Sequence, residues 1–197
     1  LNDDIWLKRN EDIMYFETDP SLSRELILAF GQKLRSHFYE KLPEFIEALD
    51  LIDAKEQYPQ HSDFFSRLAL TIAKGDYAGI DAIDRKDQIA EKLYRRSLAY
   101  GHNARAYLGL GMLYQQRRAF DESIQILATG IAAFPKDEQL RLCLAISYMN
   151  VGNYHKALSF LLELQHLKEG IYFIAKCYQA LNDEPKAELY LKKYKTW

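Results

Sequence analysis

Five histidines, two cysteines, a run of aspartates and one Gly-x-Gly are the residues of this chain whose chemistry could go beyond packing. An imidazole acting as a base or a metal ligand needs a nucleophile in reach, or a second ligand three or four residues on along a helix. His37, His61, His102, His155 and His166 have no such company and stand mostly near turns or helix ends, so their spacing predicts surface or capping roles. Asp76, Asp81, Asp84 and Asp87 have the composition of a calcium loop but not its ligand order or its central glycine, and they read as a solvated loop. Cys143 and Cys177 lie in apolar helical pattern with no Cys or His at ligand spacing. They read as two reduced, buried thiols, with a disulfide between neighbouring helices as the alternative. Gly109 and Gly111 would cradle a phosphate only between a strand and a helix, whereas helical pattern runs unbroken on both sides of them. The basic ending KKYKTW reads as a helix end, where cations suit the dipole. No catalytic residue, cofactor site or metal site follows, and the expectation is a protein that is not an enzyme.

Charge and hydropathy narrow the partners. A formal net charge of −2 forces no basic face, which excludes nucleic acid as the default ligand. No apolar run reaches the length of a membrane span, so the expectation is no membrane insertion and a cytoplasmic protein. The first residue is Leu1 rather than Met, which leaves room for a removed signal or for a regulatory or substrate-presenting domain excised from a larger enzyme. Glycine and proline are scarce and helix formers plentiful, which favours an all-α chain.

The elements that would position any site repeat along the chain. Residues 104–137, 138–167 and 168–197 superpose in three columns. One is Leu110–Gly111, Leu144–Ala145 and Ile174–Ala175; the second is Tyr114, Tyr148 and Tyr178; the third is Ser123, Ala157 and Ala187. The 34 residues from Ala104 add Tyr107 at position 4, Phe120 at 17, Leu127 at 24, Gly130 at 27 and Pro135 at 32. Gly152–Asn153 and Asn182–Asp183 mark turns, and Asp183 with Pro185 marks a helix start. Upstream, Phe65, Leu68–Ala69 and Ile72 occupy the first-helix columns and Ala90, Tyr94 and Ser97 the second-helix columns, with 78–88 as an insertion.

This pattern resembles the tetratricopeptide repeat (TPR), a helix-turn-helix unit of 34 residues, and the stretch AEKLYRRSLAYGHNARAYLGLGMLY has some Sel1-like repeat character. The second unit departs from it at Arg141 and Leu164, the second and third are 30 residues long, and the third lacks the closing proline. The resemblance implies an α-solenoid, a right-handed superhelix of such repeats over 62–197 (62–103, 104–137, 138–167, 168–197), preceded by extra N-terminal helices. Residues 20–61 read as a helical pair or a degenerate repeat, with Asp19–Pro20 opening one helix and Pro43 the next. Residues 1–19 read as an N-terminal arm whose Ile5, Trp6, Leu7, Ile13, Met14, Tyr15 and Phe16 need cover. The expectation is that the arm packs on its own array, or lies in its own groove or a neighbour's, the last being a route to a homo-oligomer.

The resemblance further implies that repeat positions 2, 5, 9, 12 and 13 line a concave groove. Those residues are Arg105, Leu108, Met112, Gln115 and Gln116, then Gln139, Leu142, Ile146, Met149 and Asn150, then Tyr172, Lys176 and Gln179. Asp63, Ser66, Leu70, Ala73 and Lys74 are their upstream counterparts. The carboxylate clamp of co-chaperone TPR domains is absent, since positions 5 and 9 are apolar in two units. The groove is apolar in the middle and amide-rich along one edge, suited to a peptide or the apolar face of a partner helix. The leading expectation is a protein-interaction scaffold; a small secretion-type chaperone for an unfolded client is the alternative. Finally, Gly111 stands where a small side chain lets the two helices of a repeat approach, and Gly111→Ala is expected to be tolerated.

Overall fold

Asp137, Asn153 and Asp183 each stand one residue before a helix, and each side chain accepts an N–H from the helix's first turn: Leu140 at 2.9 Å, Lys156 at 3.2 Å and Lys186 at 3.3 Å. Each cap satisfies a backbone donor that the helix itself leaves orphaned. The computed structural model describes residues 59–74 and 83–197, with side chains over 61–74 and 86–197. The arm of residues 1–19 and the N-terminal pair up to 58 lie outside the described residues.

Eight α-helices and one 3₁₀ turn make up the described chain: α1 (Pro59–Lys74), α2 (Ile83–Tyr100), α3 (Ala104–Gln116), α4 (Phe120–Ala133), α5 (Glu138–Asn150), α6 (Tyr154–Leu161) with the 3₁₀ turn Leu162–Leu164, α7 (Lys168–Ala180) and α8 (Glu184–Lys195). There is no strand among the described residues. The chain divides into two compact units, Leu1–Ala106 and Tyr107–Trp197.

In the first unit α1 packs on α2. Phe65, Leu68, Ala69 and Ile72 from one helix meet Ala90, Tyr94 and Ser97 from the other, and all seven are buried. Two serines mark the crossing: Ser97 donates to the Ser62 carbonyl at 2.7 Å and the two hydroxyls lie 3.1 Å apart. Two expectations are corrected here. Residues 83–88, read as insertion, are the first turns of α2, so Asp84 and Asp87 are helical rather than part of a loop. His61, read as a surface or capping residue, is fully buried, edge-on to Tyr100 at 5.3 Å, because α1 starts at Pro59 and carries it into the core.

In the second unit each helix from α4 to α8 packs on the next. The turn inside each repeat uses a left-handed residue at position 15: Arg118 (φ 59°), Gly152 (φ 77°) and Asn182 (φ 57°). Glycine and asparagine adopt this conformation readily; a long side chain is strained there by about 1 kcal/mol. Four residues of the pattern are missing from the 30-residue repeat 138–167, and the shortening falls on its second helix and the linker after it. Its α6 has 8 residues where α4 has 14, and a tighter 3₁₀ turn closes it. That tightening brings the Leu164 carbonyl onto the first turn of α7 at Gly170, where a Cβ would collide with the carbonyl oxygen.

Candidate functional site

The packing of the helix faces decides which side chains are left for a partner. Gly130 holds position 27 of the first full repeat, and a Cβ there would lie 2.8 Å from Cβ of Tyr107. The glycine thus makes room for the position-4 aromatic, whose ring also meets Phe134 at 6.5 Å. The next repeat has Arg141 and Leu164 at these positions. Its guanidinium instead donates twice to the Pro135 carbonyl, at 3.1 and 2.5 Å, and pairs with Glu163.

Gly111 sits against helix α4 as its column requires, and Ser123 donates to its carbonyl at 2.9 Å. The expectation that Gly111→Ala is tolerated is overturned. A Cβ at Gly111 would lie 2.5 Å from both Cγ and Cδ2 of Leu127, a residue with no exposed surface into which to retreat. Overpacking of this kind costs about 1–3 kcal/mol, more than the roughly 1 kcal/mol of helix propensity gained.

Ser123 belongs to a polar thread that crosses three helices. Its hydroxyl is 2.9 Å from that of Ser147, Ser147 is 3.2 Å from the Cys143 carbonyl, and Gln115 Nε2 donates to both the Cys143 carbonyl (2.8 Å) and Ser147 (2.6 Å). The two serines are fully buried, so every donor needs the partner it has. The Gln115 amide, read as a peptide-backbone contact, is therefore engaged on α5. Cys143 and Cys177 are buried, unpaired thiols, which closes the disulfide alternative. Burial pushes Cys143 up to about 12, against the Gln115 contact, and pushes Cys177 up to about 11, so neither is a thiolate at neutral pH.

The other residues of the second unit expected to line a groove keep accessible surface. Leu108, Leu142, Ile146, Met149, Tyr172 and Gln179 are half-buried, while Gln116, Gln139, Asn150 and Lys176 are exposed. Met112 is 48% exposed. Spacings of three and four set Leu108 with Met112, and Leu142 with Ile146 and Met149, each on one helix face. In α7, Tyr172 meets Tyr194 of α8 at 5.4 Å, and Lys176 Nζ stands 5.6 Å over the Tyr172 ring.

In the first unit, Arg105 is tied to its own scaffold through Asp63 at 2.7 Å and the Ser66 hydroxyl at 3.1 Å, with Arg67 on the other Asp63 oxygen at 2.6 Å. Ser66 itself is fully buried and donates to the Asp63 carbonyl at 2.9 Å. Tyr94 is pushed up to about 12 by burial, against the opposing pull of Arg105.

One arrangement is hidden in the sequence because only its tyrosine recurs in all three repeats. Tyr148 stacks on Phe160 at 5.9 Å with Lys156 Nζ 4.7 Å over the Tyr148 ring. Thirty residues on, Tyr178 stacks on Tyr190 at 5.7 Å with Lys186 Nζ at 5.1 Å. The repeat from Ala104 has Tyr114, Ile126 and Glu122 in these places.

Among the described residues, no group of three or more His, Cys, Asp or Glu side chains could hold a metal, and no helix is long and apolar enough to cross a membrane.

The architecture is the TPR-type helical-repeat solenoid fold. No protein-family model matches the chain, and no curated protein matches it in sequence. Solved structures do match. PilF of Pseudomonas aeruginosa superposes with a TM-score of 0.61 at 14% identity, over 90% of this chain and 75% of that one. MamA of strain AMB-1 gives 0.58 at 20% identity, over 88% and 95%. MamA of strain MSR-1 gives 0.58 at 19% identity, over 90% and 95%. Both are TPR-repeat proteins.

Proposed function

We propose that the chain is a non-catalytic interaction scaffold that holds a peptide or partner helix against the apolar faces of α3 and α5. The observation that carries this reading is a contrast within single helices. In α5, Leu140, Cys143, Leu144, Ser147 and Tyr148 are buried, while the apolar Leu142, Ile146 and Met149 keep exposed surface. Met112 does the same in α3. Apolar side chains left at the surface in register on one face form a patch that a complementary apolar face can cover. Gln116, Gln139, Asn150 and Gln179 supply amide donors and acceptors around it. The fold shared with MamA and PilF supports a scaffold role. The partner is a protein, the chain's own N-terminal arm from a second copy included. Two unpaired thiols fit a reducing compartment such as the cytoplasm.

The test is a double charge substitution, Leu142→Glu with Ile146→Glu, in the full chain. Capture of its natural partner is expected to fall at least tenfold with an unchanged helical circular-dichroism spectrum. Undiminished capture by the folded variant contradicts the reading.

A further inference from the structure

The last repeat differs from the rest of the chain in charge. Residues 168–197 hold six lysines against four acidic side chains, while the whole chain has a formal charge of −2. Some cations near the helix faces are neutralised locally: Arg105 by Asp63, Arg141 by Glu163, Lys186 by Asp183. Lys168 and Lys176 are not. Among the described residues neither has a carboxylate partner, and Glu169 on the same helix is paired with neither. Each ammonium instead stands over an aromatic ring, Lys168 5.3 Å from the Tyr194 centroid and Lys176 5.6 Å from that of Tyr172. The two rings are themselves in contact at 5.4 Å, so the four side chains form one continuous surface. A cation over a ring has its carbon stem ordered without losing its outward N–H donors, which lowers the entropy lost on binding an anion.

We propose that this surface is a recognition subsite for an acidic peptide: Lys168 and Lys176 each take a carboxylate, and an aromatic or apolar side chain between those carboxylates lies on the Tyr172–Tyr194 pair. The subsite rests on the scaffold reading above and deepens it, since Tyr172 and Lys176 belong to the same face. Geometry sets the peptide's register. Eight residues of helix separate the lysines by about 12 Å along the axis. An extended peptide covers that span in about four residues, so the matching segment has acids at i and i+4. A nucleic acid fits less well. There is no arginine fork in the cluster to take a phosphate in bidentate fashion.

The test uses the full chain and a fluorescent, end-blocked peptide Gly-Glu-Ser-Trp-Ser-Glu-Gly, with a control in which both Glu are Gln. The acidic peptide is expected to bind roughly tenfold tighter than the control at low salt, a preference that shrinks as salt screens the contacts. Lys168→Ala with Lys176→Ala should erase the preference, and Lys168→Arg with Lys176→Arg should keep it, with thermal midpoints confirming that each variant folds. Equal affinity for the two peptides, no binding of the acidic one, or a preference that survives the double alanine overturns the inference. So does displacement of the peptide by a single-stranded oligonucleotide at lower concentration than by unlabelled peptide. Loss of natural-partner capture in the Leu142→Glu, Ile146→Glu variant, together with equal peptide affinities, would leave the scaffold standing without this subsite.

Discussion

The repeat 104–137 and the two repeats that follow it close the same turn with different residues. In the later repeats the left-handed position is Gly152 or Asn182, and the next residue, Asn153 or Asp183, caps the second helix. In the first repeat the left-handed residue is Arg118, and Ala119 makes no side-chain cap. Locally this is the weakest of the three turns. Yet its helices are joined by the buried thread through Gly111, Ser123, Ser147 and Gln115, whereas the corresponding Ala157 and Ala187 have no hydroxyl to offer. The difference teaches that tertiary hydrogen bonds in this unit stand in for turn chemistry, and that turn signals alone understate where a repeat lies.

The largest expected effect breaks the comparison at its most crowded point. Gly170→Ala drives a Cβ into the Leu164 backbone carbonyl, which cannot rotate away as a side chain can. A loss of about 3 kcal/mol is expected in urea denaturation, with the damage confined to the shortened repeat junction. Next comes the polar thread. Ser123→Ala removes the buried hydroxyl that contacts Ser147 and donates to the Gly111 carbonyl, and is expected to cost about 1–2 kcal/mol. Ala157→Ser, the reverse change one repeat on, should bring no matching gain. Gly111→Ala, working against Leu127, should lose about 1 kcal/mol net, read as a lower thermal midpoint.

Smaller effects should repair the weak turn. Arg118→Gly and Ala119→Asn each supply what the later turns already have and are expected to raise stability by about 1 kcal/mol. The smallest effect separates two caps of the same geometry. Hydrogen bonds from Lys186, first from its side chain and then from its backbone, hold the Asp183 carboxyl below its usual range. A depressed carboxyl contributes stability that is present above its unfolded value and is lost as pH falls through the folded one. Acidification below about pH 4 should therefore weaken the α8 cap, while the neutral Asn153 cap of α6 gives no such acid limb. Asp183→Asn should remove the difference, measured as pH-dependent amide exchange in the two first turns.

The helices, their order and the buried columns were legible because period and small-residue columns are direct consequences of packing. Phe65, Tyr94 and Leu144 could be placed inside from spacing alone. Other features were hidden for specific reasons. Arg118 carries no turn signal, so its left-handed backbone is visible only in space. Gly111 looked replaceable by alanine because propensity is local, while the obstruction, Leu127, comes from another helix sixteen residues on. Gln115 looked available to a peptide because its spacing put it on the groove face, but its length lets it reach α5. Lys168 and Tyr194 entered no groove position, and only their approach to Tyr172 and Lys176 joins them into a surface.

The central claim is that partners sit on the Leu142, Ile146 and Met149 face of α5 rather than on α6. Its most direct test is site-specific photocrosslinking in the cell of origin, with p-benzoylphenylalanine in place of Ile146 or, on exposed α6, in place of Ser159. A discrete protein adduct from position 146 and none from 159 is the predicted result. Adducts of equal yield from both positions, or an adduct from 159 alone, would contradict it.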